Sequence, residues 1–235
     1  MAVAHFLAEP HALPGWFGKL PGIGDFAHRR LPADFREAWD SWLQEGLMQL
    51  RLRHEDEWRD RYLEGPLWFF VLAPGVAGEA GWIGVMMPSV DGVGRYFPFT
   101  IAGRLREGGL QPEDWQAVAA WWRDATQAAL QSLEQDLDAA AVDALLAALG
   151  GRTAPVAAGG AASASVSAPA AGEGQGGAAG PGAVSHGQSL WLTHPEAGAA
   201  GAQVLTVAGL PRGARFDLLF GFDDPAEDAL QGAAQ

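Results

Sequence analysis

Lys19 follows Gly18 directly, and Gly22 and Gly24 stand close behind it in GWFGKLPGIGDFAHRR, residues 15–30. A lysine inside a glycine-rich turn is the arrangement that cradles phosphate, but the spacing here excludes it. A P-loop needs four residues between its first glycine and the Gly-Lys pair, then a hydroxyl to hold Mg²⁺. Only two residues separate Gly15 from Gly18, and Leu20 follows the lysine. Pro21 also lacks the backbone N–H that a phosphate nest would use. As a dinucleotide fingerprint, Gly22-Ile23-Gly24 would place Ala27 at the third glycine, which is tolerated. The polar stretch His28 to Asp34 then separates the turn from the next helix, so no helix N-terminus points at it.

Other catalytic chemistry finds little support. Ser89, in PSVDG, is the best-placed hydroxyl, but it sits in no Gly-x-Ser-x-Gly elbow and no histidine is near in sequence. Turn chemistry accounts for Ser89 and Asp91 without catalysis. The six histidines form no i, i+4 pair, and without cysteine there is no thiolate metal site. Carboxylate runs such as Glu55-Asp56-Glu57 read as solvated helix faces. No catalytic, cofactor-binding or metal-ligating residue is therefore expected.

The remaining polar set is Lys19, Asp25, Arg29, Ser89, Asp91 and Arg95. Asp25 and Arg29 bracket one turn, and Asp91 and Arg95 another. Asp25 can satisfy turn N–H groups, and Arg95 can pair with Asp25 or Asp91. Three readings stay open. These residues brace the two loops, or they form a polar rim for a partner, or Asp25, Ser89, Asp91 and Arg95 line the pocket of a small-molecule enzyme. A concave lining would favour the pocket, and bonds to turn backbone would favour the brace.

The elements that must hold these residues follow from pattern. Residues 16–20, 67–73, 81–87, 95–102, 189–194 and 202–210 read as strands. LWFFVLA, residues 67–73, is apolar throughout, as in a strand buried on both faces. Pro98 suggests an edge or a bulge in its strand. Phe35, Trp39, Trp42, Gly46 and Leu50 lie on one face of a helix over 34–54, with Asp34 and Glu37 as a capping box. Further helices are expected over 55–63, 112–132 and 138–149, and ARFDLLFGF, residues 214–222, is amphipathic. The fold class is α/β (α+β): a layered domain whose mainly antiparallel or mixed central sheet of about five to six strands is packed by helices.

Residues 1–14 read as a flexible lead and 15–150 as the main part of the domain. Between 151 and 188, 29 of 38 residues are Gly, Ala, Ser or Pro, too little apolar surface to offset ordering entropy, so a linker is expected. Residues 189–222 are too few for a core of their own and should complete the same domain. Residues 223–235 read as a frayed tail.

Composition narrows the partners. The net charge is −13, with −2 in residues 1–106 and −11 in residues 107–235. Nucleic acid would be repelled by that field. No apolar run is long enough for a membrane span, and MAVAHFLAEPHALPG lacks a signal-peptide pattern, so a soluble cytoplasmic chain is expected.

GWFGKLPGIGDFAHRRLP, PLWFFVLAPGV, GWIGVMMPSVDGVGRYFPFT and SLWLTH, in that order, resemble the TagF/ImpM family of type VI secretion system-associated proteins. The pattern GKLP-x-x-GDF-x-x-R is met from Gly18 to Phe26 with Arg29, and MPS-x-D-x-x-GR-x-FP-x-T from Met87 through Thr100. The resemblance covers most of residues 15–149 and 187–222. It implies a cytoplasmic α/β regulatory domain without catalytic residues or cofactor. It also implies a posttranslational regulator, generally a repressor, of type VI secretion assembly, whose partner is the system's forkhead-associated scaffold protein. The Gly/Ala linker departs from the family pattern as an insertion. Some members fuse a phosphatase after this module; here one would be a separate chain. A purely structural assembly factor is the remaining alternative.

Overall fold

The computed structural model describes residues 4–150, 184–194 and 202–222. Among them are seven strands: β1 (Gly15–Gly18), β2 (Ala27–Arg29), β3 (Trp68–Leu72), β4 (Trp82–Met87), β5 (Phe99–Arg104), β6 (Gln188–Leu192) and β7 (Val204–Ala208). The helices are α1 (Ala33–His54), α2 (Trp58–Glu64), α3 (Trp115–Glu134), α4 (Ala139–Gly150) and α5 (Ala214–Leu218). The strands form one open sheet in the order β2-β1-β5-β4-β3-β6-β7, every neighbour antiparallel. The expected layered α/β class holds, with the sheet wholly antiparallel.

Both faces of the sheet are covered, which explains its sequence. In β3, Trp68, Phe70 and Leu72 pack toward α1, α2 and α5, while Phe69 and Val71 pack toward α3 and α4. An antiparallel sheet with one wet face alternates apolar and polar residues; two dry faces remove the alternation. On the first side, Trp39, Trp42, Phe70 and Trp191 form one aromatic cluster with centroids 4.7–6.0 Å apart. The indole N–H groups of Trp39, Trp42 and Trp191 donate to Thr100 Oγ1, the Pro211 carbonyl and Ser189 Oγ, so these large rings are buried without stranding a donor.

Several local expectations shift. β2 is an additional strand: three residues from a polar stretch, whose strand form comes from its register against β1. The 95–102 strand begins at Phe99, because Tyr96 bridges back to Val90 and Pro98 offers no N–H for the ladder. Pro98 therefore precedes a central strand, not an edge. The Asp34–Glu37 capping box does not form. The helix begins at Ala33 behind Pro32, and Asp34 Oδ1 accepts from the adjacent Phe35 N–H at 2.8 Å. Residues 4–14 lie against the sheet: Phe6 is fully buried, and Leu7 bridges Leu105. Of the 151–188 linker, residues 151–183 fall outside the described residues, as does the 223–235 tail. Gly187 N–H already bonds to the Pro74 carbonyl at 2.8 Å.

Candidate functional site

The two motif loops, residues 18–30 and 87–99, leave the same end of three adjacent strands, β1, β5 and β4, and meet there. Gly18 has φ +133°, and a Cβ on it would lie 2.2 Å from the Pro98 carbonyl oxygen. Gly22 is needed for another reason: a Cβ there would lie 1.9 Å from the Asp136 carbonyl oxygen, in the turn between α3 and α4. Gly18 and Gly22 are thus spaces for other backbone, whereas a Cβ at Gly24 would meet open space.

Ser89 is fixed at every polar atom. Its hydroxyl donates to the Lys19 carbonyl at 2.7 Å. Its N–H donates to Tyr62 Oη at 3.0 Å, and the same Tyr62 hydroxyl donates to the Ser89 carbonyl at 3.0 Å. That exchange ties the second loop to α2. Tyr62 is fully buried, and burial pushes its phenol well above the usual range.

Asp91 is the hub. Its side chain has 0% exposure. Oδ1 accepts from Val93 N–H at 3.1 Å and Arg95 N–H at 2.8 Å. Oδ2 accepts from Arg95 Nε at 2.6 Å and lies 3.4 Å from Lys19 Nζ. Burial alone would push this carboxyl up. The Arg95 N–H and guanidinium, the Val93 N–H and the Lys19 ammonium outweigh it and hold the pKa at about 2. Arg95 also donates through Nη2 to the Gly24 carbonyl at 2.7 Å, crossing to the first loop. Lys19 is buried, and its Nζ sits 4.5 Å from the centroid of the Phe26 ring.

Four of the six sequence candidates, Lys19, Ser89, Asp91 and Arg95, therefore interlock. Asp25 stays outside at the rim, where Oδ1 caps its own turn by accepting from Phe26 N–H at 2.7 Å. Arg95 takes Asp91 and Gly24 as partners. Arg29 also stays outside, with Nε 3.8 Å from Asp143 Oδ2 on α4. None of the six lines the cavity of about 460 Å³ at the other end of β1 and β5, whose walls include Leu7, Leu13, Leu31, Trp82 and Arg104. The loop end instead presents apolar side chains, with Phe26 44% and Val93 75% exposed.

Sequence reasoning missed two carboxylates. Asp143 accepts from Arg30 Nη2 at 2.7 Å and Trp16 Nε1 at 2.9 Å, and these contacts, the Arg30 bond foremost, lower its pKa. Asp217, buried on α5, takes both Arg53 Nε and Nη2 at 2.7 and 2.6 Å, with His54 Nε2 at 3.0 Å. The available signal was a lone acid inside an apolar helix, as in AAAVDALLAALG and ARFDLLFGF. Among the described residues no cluster of His, Asp or Glu could hold a metal ion, and no helix is long and apolar enough to cross a membrane.

This is an antiparallel α/β layered domain with two motif loops locked at one end of its sheet. The TagF N-terminal domain family, type VI secretion system-associated, matches residues 15–149. The chain belongs to that family, as its two motifs led us to expect, and is a type VI secretion-associated protein. The crystal structure of PA0076 from Pseudomonas aeruginosa PAO1 at 2.05 Å resolution is similar, with TM-score 0.61 and 28% sequence identity over 88% of this chain and 93% of that one. No curated protein matches the chain.

Proposed function

We propose that the chain is a non-enzymatic, cytoplasmic regulator of type VI secretion that restrains assembly after translation by binding the system's forkhead-associated scaffold component. The observation that carries this reading is how the motif polar groups are used. Ser89 and Asp91 are buried, and their side chains bond to turn backbone and to Lys19 and Arg95. They brace a surface and leave no free nucleophile or base in a cleft. The braced loops hold Asp25, Phe26 and Val93 outward, and an exposed apolar pair on a rigid polar frame suits a protein partner.

The test separates the brace from the contact surface. Val93→Asp, at the more exposed of the two and away from the Phe26 packing against Phe97 and Lys19, should keep the melting temperature and lose the scaffold component from pull-downs out of the native cell. Asp91→Ala with Arg95→Ala should lose both. Deleting the gene should raise secretion. Unchanged secretion in the deletion strain sinks repression, and full recovery of the scaffold with the Val93 variant sinks this binding face.

A further inference from the structure

The two edges of the sheet are treated differently. At one edge, β2 is three residues long, and the segment around it carries His28, Arg29 and Arg30. Arg30 turns away with φ 55°, and both arginines reach Asp143. Short, charged and bent, that edge is guarded against pairing. At the other edge, β7 reads VLTVA, with no charge, no proline and strong β-formers. Val204 is 59% exposed, and Thr206 and Ala208 are exposed beside it.

The ladder fixes which backbone groups of β7 are free. Thr193 N–H donates to the Gln203 carbonyl, and Gly209 N–H donates to the Gly187 carbonyl. Positions 203 and 209 thus bond inward to β6. In an antiparallel pair the direction alternates along the strand, so 205 and 207 also point inward. Val204, Thr206 and Ala208 turn their N–H and C=O groups outward, and no strand pairs with them among the described residues. Their side chains share one face of the sheet.

From this geometry we infer that the β7 edge pairs with the β7 edge of a second copy of the chain, antiparallel about a two-fold axis at Thr206. The strand is self-complementary about that point. Thr206 meets Thr206, a favourable cross-strand pair, and Val204 meets Ala208 on either side. Three outward residues per copy supply about six backbone hydrogen bonds, and the two sheets become one. A second copy brings an uncharged edge to an uncharged edge, although each chain carries −13 overall. Pairing therefore strengthens as salt screens the remaining repulsion. The inference does not depend on the proposed secretion partner, which meets the loop end.

The chain has no cysteine, which allows a register-specific test on the full-length protein. Residues facing each other in a hydrogen-bonded antiparallel pair have Cα atoms about 5.5 Å apart, inside disulfide range. Thr206→Cys should therefore form a covalent dimer on mild oxidation, whereas Val204→Cys, facing Ala208, should crosslink at least several-fold less. By light scattering after gel filtration, wild type should move toward twice the chain mass as concentration rises. Thr206→Pro removes only an outward N–H, which an edge strand tolerates; it should be monomeric with unchanged near-UV circular dichroism. Thr206→Lys keeps the N–H, sets like charges opposite each other, and should also be monomeric. A wild type that stays monomeric across the series overturns the inference. So does a dimer that survives both substitutions, or equal crosslinking at 204 and 206.

Discussion

Replacing Asp91 by alanine should be among the most damaging single changes at the loop end. It leaves the Lys19 ammonium buried with only the Phe26 ring beside it, frees the Arg95 guanidinium, and strips the Val93 and Arg95 N–H groups of their acceptor. Removing one partner of a buried ion pair costs about 3–5 kcal/mol. Asp91→Asn keeps an oxygen for the two N–H groups but sets an NH2 donor where Oδ2 met Arg95 Nε and Lys19, so a loss of at least about 1–3 kcal/mol is expected. The pH dependence gives an independent figure. The native carboxyl sits at about 2, below its ordinary 3.8, a difference of roughly 2 kcal/mol. Because the folded value is depressed, this stabilisation is complete above about pH 4 and is lost as pH falls toward 2. Urea melts of wild type, Asp91→Ala and Asp91→Asn at neutral pH, then a wild-type series between about pH 5 and 2, measure both quantities. Lys19→Met in the Asp91→Ala background removes the stranded charge, so the double variant should recover at least about 1 kcal/mol relative to the sum of the singles. A loss below about 1 kcal/mol for Asp91→Ala, or strict additivity with Lys19→Met, would refute the hub.

Other sites give simpler expectations. Tyr62→Phe removes the hydroxyl that both donates to and accepts from the Ser89 backbone, so thermal unfolding should register a loss of about 2–4 kcal/mol. Gly22→Ala drives a Cβ into the Asp136 carbonyl; we expect a loss above about 1 kcal/mol and faster amide exchange in both the first loop and the α3–α4 turn. Asp217→Ala breaks the bidentate Arg53 pair that ties α5 to α1, and hydrogen exchange should quicken in 214–222 while β3 and β4 stay protected. Asp143→Ala removes a half-exposed partner of Arg30 and Trp16, and a melt should show about 1 kcal/mol.

The sequence made the central elements legible wherever burial left a pattern. LWFFVLA reads as a strand with two covered faces, GWIGVMM as another strand, and the Phe35–Trp39–Trp42 stripe as one face of a helix. β2 left no such trace. AHR has no apolar run, and its strand character comes from lying against β1. Sheet order was also hidden, since β1 pairs with β5 across most of the first half of the domain. The packing of residues 4–14 was hidden because Phe6 and Leu7, their buried apolar side chains, are too few to show a period and the rest of the anchoring is backbone hydrogen bonding to Arg104 and Arg106. Asp143 and Asp217 escaped because their partners stand more than a hundred residues away.

At the candidate site, residue types were legible and their pairing was not. Asp25 and Asp91 look equivalent in sequence, each beside a glycine and four residues before an arginine. What separates them is depth. Asp91 lies under the second loop, where Lys19 arrives from the end of β1, so four donors converge on one carboxylate. Asp25 lies at the tip and meets only its own turn. Ser89 Oγ and the Lys19 carbonyl are 70 positions apart, yet neither loop keeps its shape without the other. The two motifs are therefore one structural unit. Substitutions at Lys19, Ser89, Asp91 or Arg95 should act through loop position, as should changes at Phe26, whose ring packs on Phe97 and over Lys19, whereas changes at Asp25 or Val93 should alter what the surface offers while leaving its frame in place.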